Sequence, residues 1–367
     1  MTDATRTQAD NPSADAREAA QEAGLIYVSD SEPGIRRRRA GSSFAYYTAR
    51  GERVSEAKTL QRIRSLAVPP AYTDVWICTK SNGHLQATGR DARNRKQYRY
   101  HPRWTESRGD TKYEQLTVFA AALPALRSRI RSDMDRRGLP REKVLATIVY
   151  LLESTLIRVG NEGYAQENRS YGLTTLRNRH VTINGGDLRF RFKGKSGKHW
   201  NLQIRDRRVA RIIRSCQELP GQLLFEYLDG SGAPQPIDSS DVNDYLREAS
   251  GQHITAKDFR TWHGTVLAAM ALGEFERFDS QAMAKKNVRA AIERVAARLG
   301  NTTTVCRKCY VHPEVLNAYL DGELLEEIKL EVETELRGDL DTLRPEEAAV
   351  LALLSKRLSI EMALRAA

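Results

Sequence analysis

Leu188-Arg189-Phe190-Arg191-Phe192-Lys193-Gly194-Lys195-Ser196-Gly197-Lys198-His199-Trp200-Asn201-Leu202-Gln203-Ile204 is the stretch on which the fold turns. Its Gly194-Lys195-Ser196 resembles the end of a phosphate-cradling P-loop, and such a loop would imply an α/β nucleotide-binding fold. Two features exclude it. Position 189 is Arg where that motif needs Gly, and a strand pattern follows where the motif needs a helix. Leu188, Phe190 and Phe192 alternate with Arg189, Arg191 and Lys193, which describes a half-buried strand of period two. With Arg179–Asn184 ahead of it and His199–Ile204 behind, the stretch reads as a three-stranded meander with Lys195 at a hairpin tip. A lysine at such a tip is ordinarily just solvated, so its meaning depends on its neighbours.

The flanks of the meander are helical. Tyr113–Ala122, Pro124–Arg137 and Arg141–Arg158 precede it, the last apolar nearly all round and therefore the central buried helix. Arg207–Glu218, Ser239–Glu248, Thr255–Leu272 and Ser280–Leu299 follow. Arg158 closes the buried helix, where a guanidinium needs an anionic partner. Glu153, Glu162 or a bound phosphate would each serve. Arg260 falls one turn into Thr255–Leu272, with His263 three residues on. Tyr310 ends Asn301-Thr-Thr-Thr-Val-Cys-Arg-Lys-Cys-Tyr310, with Arg307 and Lys308 just before it; cations there favour phenolate and attract phosphate.

Upstream, short β-branched and aromatic runs are divided by turn signals: Leu25–Val28, Phe44–Tyr47, Val75–Cys78, Leu85–Thr88 and Gln97–Tyr100, with one helix at Glu56–Ser65. This predicts a small β-rich domain over residues 21–106. Arg36–Arg39 is a run of four arginines that reads equally as a solvated loop or as a basic cluster facing nucleic acid. In Gln97-Tyr98-Arg99-Tyr100, strand alternation puts Tyr98 and Tyr100 on one face and Gln97 and Arg99 on the other, a pattern able to meet base edges and phosphates. The polar run Thr105–Lys112 marks the expected domain boundary. Residues 1–20 have little to bury and read as a disordered tail, whereas 323–367 offers two charged helices expected to pack on the domain over 107–322. The fold class is therefore α+β, with a β-rich amino-terminal domain and a mainly helical domain carrying the meander.

A net charge of +11 argues for a polyanionic partner, nucleic acid before membrane. Cys78, Cys216, Cys306 and Cys309 are too few and too scattered for a disulfide framework, and no run reaches the ~18 apolar residues of a membrane span, so a cytoplasmic protein is expected. Cys306-x-x-Cys309 has only His312 as a nearby third ligand, which is short of a tetrahedral zinc site, so no metal or cofactor is expected.

Arg158 in Ile-Arg-Val-Gly-Asn-Glu-Gly-Tyr, Lys195, Arg260 in Lys-Asp-Phe-Arg-Thr, and Tyr310 nine positions after Asn301 together resemble the type IB DNA topoisomerases of the short poxvirus and bacterial branch. The likeness runs from about residue 25 to 320, and Glu167–Leu176 strengthens it. It implies that Tyr310 is the nucleophile, that Arg158 and Arg260 bind the scissile phosphate, and that Lys195 is a general acid. It implies that Tyr164 touches a neighbouring phosphate, and that Gln97, Tyr98 and Tyr100, with the basic Arg36 and Arg37, meet double-stranded DNA. A monomer clamping the duplex and working at the nucleoid would follow. The chain departs from the poxvirus branch at two positions. Asn301 stands where those enzymes have histidine, which keeps a hydrogen-bond donor but removes a proton shuttle. Asn161 stands where they have a lysine that approaches the bases.

Two other classes compete. A tyrosine recombinase shares such a core, but would carry histidine where this chain has Lys257, and usually a helical rather than β-rich partner domain. A non-catalytic DNA-binding protein accounts for the charge but leaves Arg158, Lys195, Arg260, Asn301 and Tyr310 as coincidence.

Overall fold

A computed structural model of the chain describes residues 17, 20–275, 278–324 and 343–366. It divides into two compact units, residues 1–112 and 113–367. The expected tail lies outside the described residues save for Arg17 and Ala20, and so does most of the first carboxyl-terminal helix.

The first unit is an antiparallel sheet in the order β2-β1-β3-β4-β5. Its strands are β1 (Ile35–Ala40), β2 (Ser43–Tyr47), β3 (Thr73–Ile77), β4 (Leu85–Arg90) and β5 (Lys96–Tyr100), with helix α1 (Ala57–Ser65) between β2 and β3. Period two explains its burial. Val75 and Ile77 pack with Ile35, Ala87 and Ile63 of α1, while Trp76 packs with Val28, Cys78 and Leu85 on the opposite face.

Two expectations change here. Leu25–Val28 forms only an isolated bridge, Ile26 to Gly83, and no strand. Arg36–Arg39 is not a loop but the body of β1, paired with Phe44–Tyr47 of β2. The strand accommodates these charges because one guanidinium is spent on the fold. Arg37 donates to the carbonyls of Val68, Pro69 and Tyr72 at 3.2, 3.0 and 2.6 Å and lies 4.2 Å from the Phe44 ring centre.

Helix α2 (Pro102–Met134) runs through the polar stretch read as a linker and through Pro124, where the sequence predicted a break. Its stripe of Leu116, Phe119, Ala120, Leu123, Leu126 and Ile130 is fully buried, and that packing offsets the hydrogen bond lost at proline. Next come α3 (Arg141–Thr155), α4 (Glu162–Asn168), and the meander β6 (Val181–Asn184), β7 (Asp187–Lys193) and β8 (His199–Arg205). The meander's order is β6-β7-β8, all antiparallel, as its alternation predicts. Helix α5 (Arg207–Gln217) and a small ribbon, β9 (Glu226–Leu228) with β10 (Pro234–Pro236), lead to α6 (Ser239–Ser250), α7 (Ala256–Gly273) and α8 (Gln281–Leu299). The chain closes with α9 (Thr303–Cys309), α10 (Pro313–Leu320) and α11 (Pro345–Ala366), the last packed on α7 and α10. One core holds α2, α3, α7 and α8 together, with Phe119, Leu152, Phe259 and Leu299 all fully buried within it.

Candidate active site

Helix α3 ends earlier than its apolar pattern suggests. Leu156 takes a left-handed conformation with φ 59° and caps the helix, so Arg158 lies in the extended segment beyond it. That segment is clipped in place: the Arg158 and Val159 carbonyls accept from Leu173 and Thr174 N–H at 2.8 and 2.6 Å. Gly172 permits the approach, because a Cβ there would stand 2.6 Å from the Arg158 oxygen. Glu153, one expected partner of Arg158, is held instead by Arg127 at 2.6 Å. Arg158 donates to the Asn301 side-chain oxygen.

Arg260 joins the two segments that carry those residues. Only 3% exposed, it donates through one terminal nitrogen to the Leu156 carbonyl and through the other to the Leu299 carbonyl, the latter at 2.6 Å. Each carbonyl lies two residues before a site residue. A guanidinium only donates, so Arg158 fixes the Asn301 amide with its oxygen toward the arginine and its nitrogen away. Asn301 Nδ2 and Arg260 Nε are buried donors with no acceptor among the described residues, and the Arg260 guanidinium carbon lies 5.0 Å from the Tyr310 ring centre. Burial first, and the Arg158 charge second, push Arg260 down to about 10, against the opposing pull of Tyr310 and Cys306.

Tyr310 is set by its backbone. Thr302 caps α9, accepting from Val305 N–H at 3.3 Å, and Tyr310 is the residue that ends the helix. A Cβ on Gly264 of α7 would collide with the Tyr310 carbonyl oxygen, so only glycine admits this approach. His312 N–H donates to Thr265 Oγ1 at 3.0 Å, and the Tyr113 hydroxyl reaches the carbonyls of Lys308 and Val311 at 3.3 and 3.1 Å. The nucleophile candidate is thus pinned from both sides.

Lys195 begins a short 3-10 turn, Lys195–Gly197, between β7 and β8. The hairpin is carried to the end of α8: Lys198 Nζ lies 3.4 Å from the Ala297 carbonyl, and Trp200 covers Gly300, whose φ is +65°. Asn301 follows directly. The exposed Lys195 therefore belongs to the hairpin packed on the segment that presents Asn301.

Those contacts were not legible in advance. Gly172, Gly264, Trp200 and Tyr113 position the site residues, and the one sequence signal among them is glycine at 172 and 264, where a close backbone approach leaves no room for a Cβ. In the first unit, Tyr98 and Tyr100 are 47% and 45% exposed and stack with ring centres 6.0 Å apart. Gln97 instead donates to Asp91 at 2.9 Å, Arg36 lies 3.4 Å from Asp74, and Arg37 is engaged as described. Tyr164 falls on α4, its side chain outside the described residues.

Among the described residues, one cluster has metal-ligand spacing: Glu153, His263 and Glu347. Arg127 already holds both of its carboxylates, at 2.6 and 2.7 Å. Cys306 is buried and Cys309 exposed.

Comparison with known proteins gives the family. Residues 101–336 match the model of the eukaryotic DNA topoisomerase I catalytic core, and residues 43–91 match the bacterial DNA topoisomerase IB N-terminal domain. The chain belongs to the type IB DNA topoisomerases. The DNA topoisomerase 1B of Acanthamoeba polyphaga mimivirus is 32% identical over 293 residues, covering 78% of this chain and 87% of that one. The DNA topoisomerase 1B of vaccinia virus, strain Copenhagen, is 20% identical over 273 residues, 72% of this chain and 83% of the relative. The DNA topoisomerase 1 of Mycosarcoma maydis matches at 27% over 180 residues, which is 43% of this chain but 18% of that much longer enzyme. The short viral members and the bacterial amino-terminal module place the chain in the short type IB branch, and it is an enzyme of that family.

Proposed function

We propose that the protein relaxes supercoiled double-stranded DNA by cutting and resealing one strand through Tyr310. The observation that supports this most is the pair of buried donors, Arg260 Nε and Asn301 Nδ2, the first on a guanidinium that faces the Tyr310 ring and the second on an amide held by Arg158. Buried donors without acceptors are costly, and a phosphate oxygen is the acceptor such a cationic site favours.

In the proposed reaction the Tyr310 phenolic oxygen attacks the scissile phosphorus. A bond forms between that oxygen and phosphorus, the bond to the 5′ oxygen breaks, and the 3′ phosphate stays on the tyrosine. At its reference pKa near 10, only about one tyrosine in a thousand is ionised at neutral pH. The side chains that converge there, two guanidinium groups and an amide, have no basic lone pair, so the phenolic proton goes to water. Arg158, Arg260 and Asn301 stabilise the charge gathering on the nonbridging oxygens, and Lys195 protonates the departing 5′ oxygen. The tyrosyl ester keeps roughly the energy of the original bond, so resealing is the reverse step and consumes no ATP. These side chains perform every step without a metal ion.

Residues 21–106 serve as the DNA-binding domain, with Tyr98, Tyr100 and Arg36 as its contacts, and Gln97 joins them once released from Asp91. Arg37 acts through the fold that it holds. A monomer closing around the duplex and working at the nucleoid suits two basic domains. Supercoiled plasmid incubated with the protein, a chelator and no ATP should relax, with a covalent protein–DNA adduct on denaturant quench. Relaxation by Tyr310→Phe equal to that of the wild type would overturn the assignment.

A further inference from the structure

The first unit and the Tyr310 site do not account for every cation in the molecule. Helices α8 and α9 flank a cavity of about 540 Å³ on the outer side of the helix that carries Tyr310. Lys285 and Arg289 line it from α8, and Arg307 and Lys308 from α9. All four are exposed, and none forms an ion pair among the described residues. By contrast Arg294, five residues further along α8, is paired with Glu274 at 2.6 Å. The floor is apolar, made of Val288, Ile292 and Leu320.

We infer that this groove holds the sugar-phosphate backbone of the duplex on one side of the cleaved bond. The inference rests on the proposed function and extends it to a flanking contact. Charge complementarity supports it: four cations, none ion-paired among the described residues, gather within one groove, on a chain of net charge +11. The spacing suits a backbone. Lys285 and Arg289 are one helical turn apart, about 6 Å along α8, so the two rows can grip neighbouring phosphates while the apolar floor takes the sugar face. The placement gives the contact a purpose. Arg307 and Lys308 stand three and two residues before Tyr310 on a helix of seven residues, so a phosphate held there fixes the strand relative to the nucleophile.

The test uses the full chain carrying Lys285→Gln and Arg289→Gln, with Arg247→Gln and Arg294→Gln as a control. The control removes the same charge from ion pairs outside the groove. Binding to a long linear duplex is measured against salt concentration, and covalent adduct formation is followed on duplexes trimmed stepwise on either side of a mapped cleavage site. The groove variant should bind several-fold more weakly at low salt, and its slope of log affinity against log salt should be smaller by about 2. The control should keep the wild-type slope. Trimming one flank, and not the other, should make the groove variant and the wild type form adduct equally well. Equal salt slopes for groove variant and wild type, or a control that shifts as much as the groove variant, would overturn the contact. Absence of any adduct with the wild type would instead overturn the proposed chemistry, so the two failures are distinct.

Discussion

Arg127 and Arg260 are both withdrawn from solvent in the same helical unit, yet their surroundings are opposite. Arg127, 14% exposed, is gripped by Glu153 at 2.6 Å and Glu347 at 2.7 Å, and those two carboxylates hold its pKa above the ordinary arginine value against the cost of burial. Arg260, 3% exposed, has the Leu156 and Leu299 carbonyls and Tyr310 for partners, no carboxylate paired with it among the described residues, a second arginine nearby, and a pKa pushed down to about 10. A buried guanidinium with matched acids ties elements together, here α2, α3 and α11. One without acids carries positive charge that the fold leaves uncompensated, which makes it a seat for an anion. The same physical ground separates a stabilising role for Arg127 from the anion-binding role proposed for Arg260.

Breaking each arginine should separate those roles by the largest margin. Arg260→Ala should slow adduct formation by about 10²–10³-fold or more, the scale of losing a preorganised charge-stabilising donor. Arg127→Met should leave adduct formation per folded molecule unchanged while lowering unfolding free energy by about 3–5 kcal/mol, because two carboxylates stay buried without their cation. Rapid-quench assays of adduct formation and urea unfolding decide it. An Arg127 variant that is stable but slow would erase the distinction.

Asn301 refines the anion side of the comparison. Asn301→Leu removes the donor at similar volume and should cost about 10²-fold in adduct formation, whereas Asn301→His, which retains a donor, should stay within about ten-fold of wild type. If the two fall equally, the amide acts by packing against Arg158 and not on the phosphate. Gly264→Ala probes the support. The added methyl must displace the Tyr310 carbonyl, and a shift of the nucleophile by about 1 Å costs up to about 10²-fold even though residue 264 meets no substrate. Unchanged activity there would show that the Tyr310 backbone yields freely.

How far the sequence carried this reading depends on what each residue leaves in one dimension. The meander was legible because alternation along Leu188–Lys193 records which face is buried, and β7 shows that burial at every second residue. The arginine strand β1 was not. Four consecutive charges hide the period of two, and pairing with β2 decides the strand instead. Pro124 signals a break by local chemistry, and the buried stripe of α2 overrides it. Within the site, Arg158, Arg260, Asn301 and Tyr310 were recognisable by residue type and order, whereas the carbonyls of Leu156 and Leu299 that aim Arg260 are backbone atoms that any residue supplies. Close approaches such as Gly264 to Tyr310 exist only after folding.

The smallest effect concerns acid, and it separates the two regions again. His263 lies among Glu347, Arg344 and Arg127, and burial first, then the two arginines, outweigh Glu347 and push it down to about 4; burial and the neighbouring Arg179 and Arg177 do the same to His180. Both are therefore neutral in the folded chain while unfolded histidine titrates near 6.5. As pH falls through 6.5 the unfolded state binds protons first, so stability should decline from about pH 6.5 and level off near pH 4. Glu347 works in a lower window: its depressed pKa contributes stability above the ordinary glutamate value of 4.5, lost as pH falls through its folded pKa. Between pH 6.5 and 4.5 the slope should therefore belong to the histidines, and His180→Gln with His263→Gln should flatten it in urea unfolding. Arg260 stays charged throughout this range, so the proposed phosphate seat persists while the fold around Arg127 loosens. If the double variant keeps the wild-type slope, the acid sensitivity resides in the carboxylates, and the neutralised cluster is then weaker than its short ion pairs imply.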